Sequence, residues 1–185
     1  MLEAVAVERE GASRLAQPVP AELSVREGRD RYLAENGFTV AAYSEPYTPA
    51  SFLGLRLDVP NTERHKWAIK LHDLHHVVTG YGTDIAGEAE ISAWEARRGL
   101  RGLGLYVGAI VVSLALFGLT VAPRRTLRAW RASGANSRSL FGRADLDYEA
   151  LLGLSVGELR AELRVPHAGV AEQPRRLHTF APTST

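Results

Sequence analysis

Apolar residues recur at helical spacing through the middle of the chain. Trp67, Leu71, Leu74 and Val78 follow one another at intervals of four, three and four residues. That spacing places all four on one face of an α-helix. The pattern therefore predicts a helix that buries this face and ends near Thr79, where a glycine-rich break follows.

A second helix is predicted directly after this break, from about residue 85 to residue 98. Asp84 precedes it and can accept a hydrogen bond from a free backbone N–H of the first turn. Ile91 and Trp94 are three residues apart, so they share one face and are expected to point inward. The sequence thus predicts two consecutive helices joined by a tight break.

Two capping boxes indicate further helices near either end of the chain. In each box, a serine is followed three residues later by a glutamate, and the two side chains satisfy free backbone amides. The pairs are Ser24 with Glu27 and Ser155 with Glu158. They predict one helix starting near residue 25 and another near residue 156.

The helical signals dominate, and no segment shows convincing β-alternation. The sequence therefore predicts an all-α fold, a single-domain helical bundle with a long central apolar helix. The helical domain is expected to cover residues 21–166. Residues 1–20, which end in a proline-rich stretch, are predicted to be a flexible arm, and residues 167–185 a flexible tail.

The long apolar helix is predicted between Leu103 and Ala122, a run of twenty residues without a charged side chain. This length could span a bilayer. Three glycines, at positions 104, 108 and 118, weaken its apolar character. The segment either crosses a membrane, is buried on all sides in the helical domain, or contacts a membrane with one face.

A basic stripe is predicted on the short helix that follows. Arg124, Arg128 and Arg131 lie at intervals of four and three, so their side chains share a face. This stripe could hold a ring carboxylate, a phosphate head group or an anionic membrane surface. A solvated helix face is an equally good interpretation.

Composition narrows the possible chemistry. The chain has 185 residues, 45% of them hydrophobic, so it can bury a core as one domain. It has no cysteine, which excludes disulfides and thiolate chemistry, and a net charge of +1, which gives no argument for nucleic acid. The first seventeen residues lack the features of a secretory signal, so a bacterial cytoplasmic setting is expected.

The candidate chemistry lies at the junction of the two central helices. His72 and His76 are four residues apart, so both imidazoles project from nearly the same line of one helix. Asp73 can reach the edge of such a site, and Glu88 can fold back over it from the next helix. Two nitrogen and two carboxylate donors suit zinc, iron, manganese or cobalt better than calcium, with magnesium also possible.

Neighbouring polar residues are assigned other roles. His75 points away from His76 and is expected beside the site or on the surface. Glu95 is either an acceptor for a ligating histidine or half of a surface ion pair with Arg98. Glu90 is expected to be solvated. The remaining histidines, at positions 65, 167 and 178, have no partner in sequence and are expected at the surface.

The segment has a superficial likeness to the H-E-x-x-H motif of zinc proteases. Asp73 stands where that motif has glutamate. Its shorter side chain would not reach a metal-bound water in the same way, which argues against a protease.

The segment from His72 to Glu88 reads H-D-L-H-H, eleven further residues and then Glu. It resembles the H-D-x-x-H…E signature of the coenzyme Q (ubiquinone) biosynthesis proteins of the coenzyme Q four family. Four later segments also resemble motifs of that family and follow in the same order, so that the resemblance covers about residues 61–166. They are Gly87-Glu88 through Trp94-Glu95, Trp130 to Ser139, Tyr148-Glu149, and Leu159 to Leu163.

This resemblance implies an all-helical fold and a divalent metal, often zinc in that family, held by His72, Asp73, His76 and Glu88. It also implies a groove for a long isoprenoid tail and peripheral attachment to a membrane, here the bacterial inner membrane. Members of the family act in ubiquinone biosynthesis, where they organise the biosynthetic complex and support oxidative decarboxylation at ring carbon C1. The expected partners are a prenylated quinone precursor or another isoprenoid lipid, the membrane, and a biosynthetic complex or a second copy.

Two functions remain open from the sequence. In the first, the protein is an enzyme, a metal-dependent decarboxylase or hydroxylase that acts on a prenylated aromatic ring beside the apolar helix. In the second, it is a non-catalytic lipid-binding or scaffold protein, and the metal is a structural clamp between two helices. An open coordination position favours chemistry, whereas a filled tetrahedral site favours the clamp.

Overall fold

The computed structural model describes residues 15–16, 18–52, 55–134, 136–143, 146–172 and 175–176. Seven α-helices make up most of this part of the chain, which confirms the predicted all-α class. The helices are α1 (Val25–Glu35), α2 (Glu63–Thr79), α3 (Ile85–Arg98), α4 (Gly104–Val121), α5 (Pro123–Ala132), α6 (Tyr148–Gly153) and α7 (Val156–Leu163). A short 3₁₀ helix covers Val40–Ser44.

The predicted caps set the helix boundaries. Both capping boxes form, at the start of α1 and at the start of α7. Asp84 caps α3 by accepting a hydrogen bond of 2.8 Å from the backbone N–H of Gly87. Gly80 ends α2 in the left-handed conformation, with φ of 82°. The break between α2 and α3 is therefore short, which brings the start of α3 back beside the end of α2.

A small β-hairpin precedes α2, within residues 38–60, where the sequence predicts irregular chain with a short turn or strand, and it leaves the all-α class unchanged. Strand β2 (Tyr47–Phe52) pairs antiparallel with β3 (Leu55–Pro60). The sequence of β3 does alternate, because Leu55, Leu57 and Val59 are separated by charged residues. The alternation is short, and the strand before it contains Pro49, so the sequence pattern alone does not specify a hairpin here.

The core lies between α1, α2, α3 and α7. Its fully buried members include Leu71 and Leu74 of α2, Ile91 and Trp94 of α3, and Leu159 of α7. The predicted apolar stripe of α2 and the inward face of α3 thus pack as expected. Their burial fixes the rotation of both helices and therefore the direction of the polar residues on their other faces.

Residues at the edges of the predicted arm and tail join this core. Val19 is 1% exposed, and its carbonyl oxygen accepts a hydrogen bond from the buried Arg160 guanidinium. Val170, in the predicted C-terminal tail, also packs against the core. Strand β1 (Leu15–Ala16) pairs with β4 (Arg175–Arg176). The folded domain therefore extends beyond residues 21–166, while residues 1–14 and 177–185 lie outside the described residues.

The long apolar helix α4 lies at the surface of the domain, so its burial on all sides is excluded. Only 17% of its 18 residues are buried, and the side chains of Leu105 and Leu116 are 94% and 59% exposed. The helix is long and apolar enough to cross a membrane, with a mean hydropathy of 2.2. Its inner side is fixed at Gly118, where an added Cβ would lie 2.5 Å from the Cβ of Ala89 on α3.

Candidate metal centre

Three of the four predicted ligands converge at the junction of α2 and α3. The Nε2 atoms of His72 and His76 are 3.1 Å apart. Glu88 reaches over both from the first turn of α3, with Oε2 3.3 Å from His72 Nε2 and Oε1 3.5 Å from His76 Nε2. One donor atom from each side chain lies within 4.8 Å of the others, which is compatible with a shared metal ion.

His76 is held so that Nε2 faces this centre. Its Nδ1 lies 3.1 Å from the backbone oxygen of Tyr81, in the break between α2 and α3. A carbonyl oxygen can only accept, so Nδ1 carries the hydrogen and the neutral ring has its lone pair on Nε2. The side chain is fully buried and stacks on Tyr32, with ring centroids 5.4 Å apart. The ring is therefore fixed in a ligating tautomer and orientation.

His72 is held in the same way by Glu95. The Nδ1 atom of His72 lies 3.0 Å from Glu95 Oε1, and the Glu95 side chain has no exposed surface. This confirms that Glu95 is an acceptor for His72, one of the predicted ligands, and excludes a position at the surface. A carboxylate on the outer nitrogen is the usual partner of a metal-bound histidine.

The electrostatics of the centre favour a bound cation. Burial alone would lower the pKa of His72, but the carboxylates of Glu95 and Glu88 outweigh it and raise this pKa well above 6.5. Burial opposes ionisation of Glu95, yet His72 and His75 lower the pKa of this carboxyl to about 2. Burial likewise opposes ionisation of Glu88, but His76 and His72 lower the pKa of this carboxyl well below 4.5. Both carboxylates are thus anions at neutral pH.

Asp73, the fourth predicted ligand, has a different partner. Its Oδ2 accepts a hydrogen bond of 2.6 Å from the hydroxyl group of Tyr43, and it lies outside the group of three converging donors. Burial raises the pKa of Asp73, while His72 and the Tyr43 bond oppose that shift. The role of Asp73 as a ligand stays a prediction.

Glu90 and His65 are both buried, although the sequence predicts them at the surface. Glu90 is not solvated: it is 9% exposed and pairs with Arg125 of α5 at 2.6 Å. His65 is 8% exposed, with Nδ1 3.2 Å from the Pro60 oxygen, so its surface assignment is wrong. His167 is exposed as expected, and His178 lies outside the described residues.

Two functional contacts had no signal in the sequence. The backbone oxygen of Tyr81 could not be foreseen as the partner of His76, because a carbonyl is present at every position. Tyr43 comes from a 3₁₀ helix some thirty residues before Asp73, so only tertiary packing brings them together.

The donor set fits a divalent metal that keeps a coordination position open. Two imidazole nitrogens and one carboxylate are a common set for catalytic zinc and for other first-row metals. The His72 and Glu88 side chains are 23% and 30% exposed, whereas His76 is fully buried. One side of the centre is therefore accessible from solvent. Such a site can polarise an oxygen of a bound molecule.

A second surface faces solvent on α4 and α5. Leu127 and Trp130 of α5 are 44% and 41% exposed and add to the exposed apolar residues of α4. The predicted basic stripe, Arg124, Arg128 and Arg131, is also exposed, and Arg128 pairs with Glu172 at 2.7 Å. We use the name apolar face for the exposed apolar residues of α4 together with Leu127 and Trp130 of α5. Those of α4 are Leu105, Tyr106, Val112, Leu116, Leu119 and Val121.

No protein-family model matches the chain, and no curated protein matches it either. The resemblance to the coenzyme Q four family accordingly stays a prediction from the motifs.

Proposed function

We propose that the chain is a metal-binding protein of the ubiquinone-biosynthesis type, which binds a prenylated quinone precursor and supports oxidative decarboxylation at ring carbon C1. The observation that carries this proposal is the convergence of His72, His76 and Glu88, with the two Nε2 atoms 3.1 Å apart. These donors have the order and spacing of the signature that the sequence resembles.

In this proposal each residue of the centre has a distinct task. His72, His76 and Glu88 bind the metal, and Asp73 is the predicted fourth ligand. Glu95 and the Tyr81 carbonyl hold the outer nitrogens of the two histidines, at 3.0 and 3.1 Å. A bound divalent metal would supply a Lewis acid beside the ring. The aromatic ring of the quinone precursor would enter from the partly exposed side of the centre.

Zinc is the first candidate for the metal, with iron, manganese, cobalt or magnesium as alternatives. A nitrogen-rich donor set favours zinc and the later transition metals over magnesium, which prefers oxygen ligands. Reconstitution with each metal in turn will therefore decide the identity.

We further propose that the protein is peripheral to the inner membrane and rests on it through the apolar face. The exposed apolar residues of α4 would enter the acyl boundary, and the arginines of α5 would meet anionic head groups. The close approach of Gly118 to Ala89 supports a helix that stays on the domain rather than one that leaves it to span a bilayer. The isoprenoid tail would then reach the protein from the membrane.

A scaffold with a structural metal is the second candidate, and one observation favours it. The three donors come from two consecutive helices, so a metal would join α2 to α3 across their short connection. The open side of the centre favours chemistry instead.

Turnover by metal-loaded protein separates these candidates. The protein is loaded with each metal, mixed with a prenylated aromatic acid in vesicles under air, and assayed for released CO₂. We expect release by the wild type, loss in Glu88→Gln, and wild-type release in His167→Asn, which changes an exposed histidine. Metal-bound wild type that releases no CO₂ with any metal would support the scaffold.

A further inference from the structure

His75 lies between the metal centre and the segment that follows α5. Its side chain is fully buried, and its ring centroid lies 5.2 Å from that of Trp94 and 4.8 Å from that of Phe141. Nδ1 lies 2.7 Å from Glu95 Oε1, and Nε2 lies 3.0 Å from the backbone nitrogen of Leu140. Both ring nitrogens of His75 thus have a partner, each from a different part of the fold.

The partners fix the direction of these hydrogen bonds. A backbone N–H can only donate, so Nε2 of His75 accepts from Leu140 and carries the lone pair. The neutral ring then has its hydrogen on Nδ1 and donates it to Glu95. The Ser139 hydroxyl, 3.4 Å from Nε2, fits the same arrangement as a second donor.

Glu95 receives two donors on one oxygen. Oε1 accepts from His75 Nδ1 at 2.7 Å and from His72 Nδ1 at 3.0 Å. Oε2 is buried and has no hydrogen-bond partner among the described residues. Among the described residues, the two histidines are therefore the only hydrogen-bond donors to this carboxylate, and without the His75 donor the group could turn and leave His72 poorly held.

We propose that His75 is a positioning residue for the metal centre: it holds Glu95 Oε1 against His72 and so keeps the Nε2 atom of His72 directed at the ion. The same ring anchors the backbone of Leu140, so it links the segment after α5 to the centre. This inference rests on the proposed metal binding, because it concerns how one of the ligands is held.

Two substitutions separate the two hydrogen bonds of His75. In His75→Asn, the amide nitrogen occupies the place of Nδ1, so the donor to Glu95 is kept and the acceptor for Leu140 is lost. In His75→Gln, the longer side chain can place its oxygen near the position of Nε2, so the acceptor is kept and the donor to Glu95 is lost. Leu159→Ala, a core change on α7, serves as the control for general destabilisation.

The test measures cobalt affinity, the visible spectrum of the cobalt-loaded protein and the melting temperature without metal. We expect His75→Gln to bind cobalt about tenfold more weakly than the wild type, with a shifted visible band. His75→Asn should keep the wild-type affinity and band while melting at a lower temperature, as Leu159→Ala should. If both His75 variants keep the wild-type affinity and band, or if affinity simply follows melting temperature across all three variants, the proposal is wrong. Wild type that binds no cobalt would instead overturn the proposed metal site itself.

Discussion

The Nε2 atoms of His72 and His76 face each other across 3.1 Å. Their outer nitrogens are committed to Glu95 and to the Tyr81 carbonyl, so in the neutral rings both lone pairs point into the same space. Two lone pairs at this distance repel unless a proton or a metal ion lies between them. The polar partners on the outer side thus prepare a cation site on the inner side.

Removing the charge of Glu95 should weaken metal binding without removing a ligand. In Glu95→Gln, the acceptor for His72 becomes neutral and the imidazole becomes a poorer donor to the metal. We expect metal affinity to fall by about 10- to 100-fold, measured by competition with a chelator. Glu90→Gln is the matched control, because Glu90 is buried on the same helix but pairs with Arg125. Equal losses in both variants would contradict the role given to Glu95.

Protons should compete with the metal at His72. The pKa of this histidine is raised above 6.5 by Glu95 and Glu88, so metal affinity should increase with pH until His72 has lost its proton. The folding stability of the metal-free protein should instead decrease as pH rises. Protonated His72 contributes stability, and this contribution is lost as pH rises through the folded pKa of His72. Chelator competition and urea unfolding, each from about pH 5 to about pH 9, check the two slopes.

The two carboxylates give the metal-free protein a second, acidic limit. The pKa of Glu95 is lowered to about 2 and that of Glu88 is also lowered, so their contribution is present above 4.5 and lost as pH falls toward 2. Metal-free stability should therefore be highest between these acidic and basic limits. A metal-free stability that is flat across this range would show that His72, Glu88 and Glu95 do not interact as described.

The packing of α4 on α3 depends on the glycine at position 118. In Gly118→Ala the new Cβ would meet the Cβ of Ala89 at 2.5 Å and the Thr126 hydroxyl oxygen at 2.6 Å, so the helices must move apart. We expect a loss of about 1–3 kcal/mol in the free energy of unfolding, measured with urea. Gly108→Ala is the control: its nearest neighbour is 3.8 Å away, and alanine should stabilise this helix by up to about 1 kcal/mol. The opposite order would contradict the packing.

Membrane binding should depend on the apolar face. Leu105 and Leu116 are 94% and 59% exposed, so changing both to glutamate should leave the fold intact and abolish flotation on anionic vesicles. Wild-type flotation should weaken at high salt, because salt would screen the proposed attraction between the arginines of α5 and anionic head groups. Ala161→Glu, at an exposed position of α7 outside this face, should float like the wild type. Salt-independent retention would indicate a spanning helix instead.

The convergence of His72, His76 and Glu88 could be predicted because it depends on local geometry. The interval of four between His72 and His76 determines that they share a helix face, and the Asp84 cap determines where α3 begins. Glu95 is seven residues after Glu88, so its place on the same face also follows from helical periodicity.

Other features of the site depend on contacts between distant segments. Glutamate is usually found at the surface, but Glu90 is buried because Arg125 of α5 forms an ion pair with it. Tyr43 meets Asp73 only because the 3₁₀ helix packs on α2. The exposure of α4 could not be inferred from its composition, since a buried core helix and a membrane-facing helix are equally apolar.

A calorimetric titration of the metal-free protein with zinc tests the central claim most directly. We predict one zinc ion per chain for the wild type and loss of that site in His76→Ala, with the exposed-histidine variant His167→Asn unchanged. Absence of binding in the wild type, or equal binding in His76→Ala, would contradict a metal centre at the junction of α2 and α3.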